Sequence, residues 1–310
     1  MEKYTIAKFN EDFPDEDACL DRIAGWIYPD GIVCRTCAQV RPHAKLTGRK
    51  AYSCAHCGTH VYPLAGTIFA KSSTPLKSWF YAMYLMASTR CGISAKQLER
   101  ELGVTYKTAW RMFTQIRKLM DEDGGPLQGI VEVDETWHGG KLTLPGRKGH
   151  TGQAPGYNSL ANKTPIVGAV ERGGKVKAKV VTNVRKGTLL PLVTAHVMPS
   201  ATVFTDEHLA YSNLTKLGYA HRRVNHSAKV YVTGDVHTNT IEGFWALLKT
   251  GIVGTHHSVG AKYLQSYVNE YAFRYNHRKD TTPMFQILAR RLAKVRHGNY
   301  GEYAPISQRA

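Results

Sequence analysis

Three carboxylates stand where acids are unusual. Asp134 lies inside the run Ile130-Val-Glu-Val-Asp-Glu-Thr-Trp-His138, whose β-branched residues suit a buried strand. Asp206 closes a second apolar run that begins at Ala201, and Glu242 opens a helix-like run, Asn239-Thr-Ile-Glu-Gly-Phe-Trp-Ala-Leu-Leu-Lys249. Seventy-one residues separate the first acid from the second, and 35 separate the second from the third. An acid in so apolar a strand is costly unless a metal, a proton or a partner compensates it. Phosphodiester transfer with two divalent ions needs a few carboxylates to hold the ions about 4 Å apart. Magnesium or manganese takes oxygen ligands, and magnesium keeps several waters, so three protein carboxylates suffice. Two strand ends and one helix would be rigid enough carriers. Glu242 and Lys249, seven residues apart, share a helix face on which a phosphate could lie, and Ile241, Trp245 and Leu248 make the helix's buried stripe. Asp235, in a Gly-Asp turn, is the rival third acid, ranked second because it lacks the helix. The plain alternative is three unconnected surface acids.

A second constellation is sulfur-based. Cys34-Arg-Thr-Cys37 is followed after sixteen residues by Cys54-Ala-His-Cys57. Two CxxC knuckles at this spacing present four thiolates to one tetrahedral zinc ion. So small a unit has little core, and the metal would supply much of its folding energy. His43, His56 and His60 are not needed as ligands, and Cys19 reads as a small buried residue.

The elements that carry these groups follow from pattern. Asp15 caps an expected helix over 16–27, with Leu20, Ile23 and Ile27 on one face. Pro75 starts a helix over 76–89 whose aromatic stripe is core. Ser94 with Gln97 forms a capping box for a helix that ends at Gly103; Thr105 caps the next. Helix, glycine turn, helix is the helix-turn-helix pattern, with Tyr106, Lys107 and Arg111 facing a DNA groove. A plain helical hairpin is the alternative. The polar stretch 121–126 marks a domain boundary. Beyond it come β-branched runs at 130–133, 165–170, 176–181 and 201–204, with helical patterns at 189–197, 207–217, 239–249 and 262–276. That is mixed α/β, three strands and then alternation. A glycine-rich basic loop over 139–152 would close on phosphate or merely connect two strands. A last helix near 284–295 precedes a frayed tail.

Composition narrows the partner. The chain has 310 residues, 41 basic against 24 acidic, and a net charge of +17. That excess points to a polyanion, most often nucleic acid. The basics at 274, 278, 279, 290, 291, 294 and 296, with His277, either grip DNA or form a solvated face. No run approaches a membrane span and the start lacks a signal-peptide core, so a cytoplasmic, nucleoid-associated protein is expected.

Several of these motifs stand together in one family. Phe13-Pro-Asp-Glu-Asp-Ala-Cys-Leu, Tyr28-Pro-Asp-Gly, the double CxxC, Val133-Asp-Glu-Thr-Trp137, Val203-Phe-Thr-Asp206, His237-Thr-Asn-Thr-Ile-Glu-Gly-Phe-Trp245 through Lys249 and Phe273-Arg-Tyr-Asn-His-Arg278 span almost the whole chain. In them the chain resembles the zinc-ribbon-bearing DDE transposases of bacterial insertion sequences, the ISXO-like group related to Merlin elements. The resemblance implies an RNase H-like catalytic domain, with Asp134, Asp206 and Glu242 as the acidic triad and Lys249 as the basic residue that follows it. The expected organisation is a helical segment 1–30, a zinc ribbon 31–70, a helix-turn-helix 75–122, the catalytic domain 126–282 and a basic helix and tail 283–310. The expected activity is cleavage at the element's ends and joining of the 3′ hydroxyl to target DNA, with a structural zinc and two catalytic magnesium or manganese ions. Partners would be double-stranded DNA, both terminal inverted repeats and target, and a second copy of the chain, since two ends need two active sites. Two alternatives stand beside it: a DNA-binding regulator with an inactive catalytic domain, and a nuclease that cuts without joining.

Overall fold

The computed structural model describes residues 4–89, 91–122, 124–139, 160, 163–224 and 237–293. The chain divides into two compact units, one drawn from Met1–Leu119 and Asp280–Ala310, the other from Met120–Lys279. The expected glycine-rich loop beyond residue 139, Asp235 and the tail from residue 294 lie outside the described residues.

The first unit opens with α1 (Ile6–Asp12) and α2 (Glu16–Ile27). Asp15 caps α2 as its sequence predicts, taking the Ala18 N–H at 2.8 Å. Cys19 is fully buried, a core residue and not a ligand. The ribbon follows: a hairpin of β1 (Val33–Cys34) and β2 (Gln39–Val40), then an antiparallel sheet of β3 (His43–Lys45), β4 (Tyr52–Cys54) and β5 (His60–Val61). Next come α3 (Leu76–Ser88), α4 (Ala95–Leu102) and α5 (Tyr106–Leu119). Pro75 offers no side chain to cap α3, and Glu16 of α2 does so instead, its two oxygens taking the Leu76 and Lys77 N–H groups at 2.9 Å each. Ser94 accepts the Gln97 N–H at 3.1 Å, but the Gln97 amide points forward to Glu101, so only half of the expected capping box forms. Gly103 turns the chain in the left-handed conformation, φ 62°, between α4 and α5.

The second unit is a five-stranded sheet of β6 (Ile130–His138), β7 (Thr164–Glu171), β8 (Val176–Val180), β9 (Thr202–Thr205) and β10 (Ala220–Arg223), ordered β10-β9-β6-β7-β8. β6, β7 and β8 are antiparallel neighbours, while β9 and β10 run parallel to β6. The strand at 220–223 has no sequence counterpart among the expected elements. Val131, Val133, Val203, Val167 and Ala169 turn to one face, where α6 (Lys186–His196) supplies Leu189 and Val193. The opposite face takes α7 (Asn239–Gly251), whose Ile241 and Trp245 lie over Gly168. α8 (Ala261–Asn276) packs along the edge strand β8. There Gln265 and Asn276 satisfy the backbone of Val176, Ala178 and Val180, which closes an otherwise open edge.

Two expectations need correction. Residues 207–217 do not form an α-helix but two single 3₁₀ turns, Leu209–Tyr211 and Thr215–Leu217. Asp206 Oδ1 takes the His208 N–H at 3.0 Å, and His208 is itself extended, φ −60° and ψ 125°, with its Nδ1 taking the Ala210 N–H at 3.3 Å, so the run is interrupted at its second residue. Three of the basics expected to grip DNA or form a solvated face are tied to the protein instead, while Lys279 and Arg290 are exposed. Arg274 is buried against Glu270 at 2.9 Å, His277 meets Glu122 at 2.6 Å, and Arg278 lies 3.6 Å over the Tyr275 ring. The chain then returns to the first unit, where α9 (Met284–Arg290) places Phe285 among Tyr4, Phe9, Phe13 and Phe80.

Candidate functional site

Sheet register brings the first two acids together. Val133 pairs with Thr205 across the parallel strands β6 and β9, so the next residues, Asp134 and Asp206, stand side by side at that end of the pair. Asp206 follows the carboxyl end of β9, while Asp134 lies midway along β6, which runs on to His138. Each acid is partly fixed by a protein donor. The Trp245 indole N–H reaches Asp134 Oδ2 at 3.0 Å, and Asp206 Oδ1 holds the His208 N–H.

A third oxygen comes from Glu135. Strand alternation puts it on the opposite face from Asp134, yet ligand atoms of Asp134, Glu135 and Asp206 all lie within 4.8 Å of one another. Glu135 is buried and accepts the Tyr211 hydroxyl at 2.5 Å. Burial pushes the Asp134 carboxyl up to about 6, a rise to which the charges of Asp206 and Glu242 add and which the Trp245 hydrogen bond opposes. Burial likewise pushes Glu135 up to about 7, with Asp206 and Asp134 adding to it. Three crowded acids, of which Asp134 and Glu135 resist ionising, are an oxygen-only donor set whose repulsion a divalent cation relieves, so the residues fit magnesium or manganese.

Glu242 lies outside that group. It is exposed in the first turn of α7, accepts the Thr238 hydroxyl at 3.0 Å, and is close enough for its charge to be felt at Asp134. Lys249 is exposed in the last turn of the same helix. Ile241, Trp245 and Leu248 form the buried stripe expected of α7. Glu135 and Tyr211 carry no sequence signal of their own, and Trp245 has a second duty beyond the core stripe, its bond to Asp134. A buried Trp seeks an acceptor for its N–H, and that was the available signal.

In the ribbon, the sulfurs of Cys34, Cys37, Cys54 and Cys57 all lie within 4.8 Å of one another, with Cys34 and Cys57 3.4 Å apart. Ligands about 2.3 Å from a tetrahedral zinc ion sit about 3.8 Å from each other, so the four fit that ion. The two knuckles repeat one geometry: Ala38 and Gly58 donate to the carbonyls of Cys34 and Cys54 at 2.9 Å, and both have positive φ. Ala38 holds at φ 53° a conformation that Gly58 adopts without strain. The three residues expected to read DNA are all exposed on α5, and Arg111 also donates to the Ala70 carbonyl at 2.9 Å.

Residues 126–276 match the ISXO2-like transposase domain, and residues 14–60 match the transposase zinc-ribbon domain. The chain is 28% identical over 276 residues to an uncharacterized protein in transposable element ISH50 of Halobacterium salinarum, covering 84% of this chain and 91% of that protein. It is 30% identical over 102 residues to an uncharacterized transposase-like protein of Haemophilus influenzae, covering 33% of this chain and 81% of that protein. Among solved structures, the pre-cleavage Mos1 transpososome overlaps with a TM-score of 0.29 at 13% identity, over 70% of this chain and 77% of that one. The mariner Mos1 paired-end complex with Mg overlaps with a TM-score of 0.27 at 12% identity, over 72% and 80%. With its zinc ribbon ahead of its catalytic domain, the chain belongs to the ISXO2-like transposases.

Proposed function

We propose that this transposase cuts DNA at the two ends of its own element and joins the freed 3′ hydroxyls to target DNA. The observation that carries the reading is the approach of Asp134 and Asp206 where β9 ends beside β6, their ligand atoms within 4.8 Å, with a helix bearing Glu242 and Lys249 beside them. The strand order β10-β9-β6-β7-β8, with three antiparallel strands followed by two parallel ones, supports an RNase H-like domain.

In this reading Asp134, Asp206 and Glu242 hold two magnesium or manganese ions. When bound, such ions lower the cost of forming the attacking oxygen and of releasing the leaving one. Trp245 and the His208 N–H fix the rotation of the two aspartates, so that their remaining oxygens face one position. Lys249, almost two turns along from Glu242, holds a DNA phosphate. Zinc in the ribbon is structural. The ribbon together with α4 and α5 recognises the terminal repeats, with Tyr106 and Lys107 toward the groove and Arg111 held on the Ala70 carbonyl. Two element ends require two active sites, hence at least a dimer on DNA.

The test uses labelled element ends, a target plasmid and magnesium. The wild-type chain should join ends to plasmid. Cutting alone would make it a nuclease, and binding alone a regulator. Asp206→Asn should abolish joining while leaving end binding intact; normal joining by that variant would end the assignment of the acids.

A further inference from the structure

One fully buried carboxylate has no part in the chemistry above. Glu132 is on β6, two residues before Asp134 and on the same face, with no exposed surface. Its Oε2 takes the backbone N–H groups of Thr240 at 2.8 Å and Ile241 at 3.0 Å, and its Oε1 takes the Thr240 hydroxyl at 2.9 Å. These are first-turn donors of α7, and Thr238 at the cap position contributes no side-chain bond to them. Glu132 therefore caps from a neighbouring strand the helix whose next residue is Glu242.

The buried charge is matched. Arg172, following β7, donates through Nε to Glu132 Oε1 at 2.6 Å, and through Nη2 to the His237 carbonyl at 2.8 Å. Its guanidinium lies 4.8 Å over the Phe204 ring of β9. His237 Nδ1 is 3.3 Å from the same Glu132 oxygen. One carboxylate thus ties the segment entering α7, the helix's first turn and the central strand into a single rigid node. A carboxylate bridging two successive N–H groups fixes both the position and the rotation of a helix start, and the local dipole favours its charge.

We propose that Glu132 is a positioning residue for the transposase site, setting the spacing between Asp134 on β6 and Glu242 on α7 through its reach and not through its charge. This rests on the reading of Glu242 as an ion ligand. Two residues of β-strand are a fixed step of about 6.6 Å. Anchoring α7 to that strand therefore registers the third acid against the first. Partners of this kind behind a metal ligand typically change ion affinity about 10- to 100-fold when altered.

The test is Mn²⁺ binding by the full-length, zinc-loaded chain, followed by the electron paramagnetic resonance signal of free ion, alongside joining in magnesium. Wild type and Asp134→Asn set the frame. If wild type does not bind the ion, or Asp134→Asn binds as wild type does, the reading of the site fails, separately from the proposal about Glu132. Glu132→Asp keeps the charge but is one methylene short, and should weaken Mn²⁺ binding about 10- to 100-fold while end binding and zinc content stay as in wild type. The double variant Glu132→Gln, Arg172→Gln removes both charges, keeps the length of residue 132 and its acceptor for the two α7 N–H groups, gives up the Arg172 bond to the His237 carbonyl, and should lose clearly less Mn²⁺ affinity than Glu132→Asp. The reverse pattern, or equal behaviour of the two variants, overturns the proposal. If Glu132→Asp does not melt cooperatively, Thr240→Val takes its place; it lacks only the hydroxyl that reaches Oε1 and should show a smaller loss of the same sign. Wild-type affinity in that variant overturns the proposal equally.

Discussion

At the scale of single residues, the acids at the sheet end are held in a state that they would not choose in water. The carboxyls of Asp134 and Glu135 titrate near 6 and near 7 against ordinary values of 3.8 and 4.5, with burial as the first cause of both rises. The sign follows from proton counting. Between about pH 4 and pH 7 the folded chain keeps protons that the unfolded chain has released. The two groups therefore withdraw stability as pH rises through that window, by up to about 1.4 kcal/mol per unit of displacement, and withdraw no more above it. Asp134→Asn removes one such charge and keeps an acceptor for the Trp245 N–H. In the absence of divalent ions, its melting temperature should gain on wild type as pH is raised from about 4 to about 7, and hold that gain at higher pH. Magnesium should reverse the order above neutrality, raising wild type and leaving the variant unmoved. A melting difference that does not change with pH would mean that Asp134 is not strained by its burial.

At the scale of elements, the fit of α7 on the sheet decides where the site's parts stand. Gly168 is paired with Asp134 across β6 and β7, and a Cβ there would meet the Trp245 ring at 2.6 Å and Ile241 at 3.0 Å. Gly168→Ala should cost about 1–3 kcal/mol by overpacking. Because Trp245 also holds Asp134, the variant should lose joining activity as well as thermal stability, whereas a surface change such as Lys216→Ala should lose neither. Much of this architecture could be read from residues. β-branched runs marked four of the five strands, Asp15 and Ser94 marked helix starts, and the stripe Ile241, Trp245, Leu248 oriented α7. What could not be read has physical causes. Strand β10, Ala220-His-Arg-Arg, is an exposed edge without an apolar face, so it carries no period-two signal. Capping by Glu132 and Glu16 reaches across 108 and 60 residues, where no local spacing rule applies. The run 207–217 has the composition of a helix, but His208 stands extended with its side chain on the Ala210 N–H, a local bond that no periodicity shows. Glu135 was hidden by strand alternation, which assigns it to the face away from Asp134.

At the scale of the whole molecule, the charge of +17 overstates what is free to meet DNA. Arg117 and Arg274 are buried, the latter on Glu270, Arg172 is bound to Glu132 and Arg278 is stacked on Tyr275. These cations hold the protein together and release no counterions on binding. The expected DNA-facing set divides along the same line. Lys107 is exposed at the start of α5, while Arg111 is fastened to the Ala70 carbonyl and lies 6.0 Å over the Trp79 ring. A lysine on a phosphate contributes about 0.9 to the slope of log affinity against log salt, and an arginine held on a protein carbonyl instead of a phosphate contributes nothing. Lys107→Ala should therefore lower the salt slope of end binding by about one, with an unchanged melting temperature. Arg111→Ala should leave the slope as it is and lower the melting temperature, since it strips a hydrogen bond and a ring contact from the first unit. Binding of labelled ends measured at a series of salt concentrations, with thermal melting of the same samples, separates the two roles. Should Arg111→Ala alter the slope and Lys107→Ala only the melting, α5 meets DNA by a different face from the one that its exposed first turn implies.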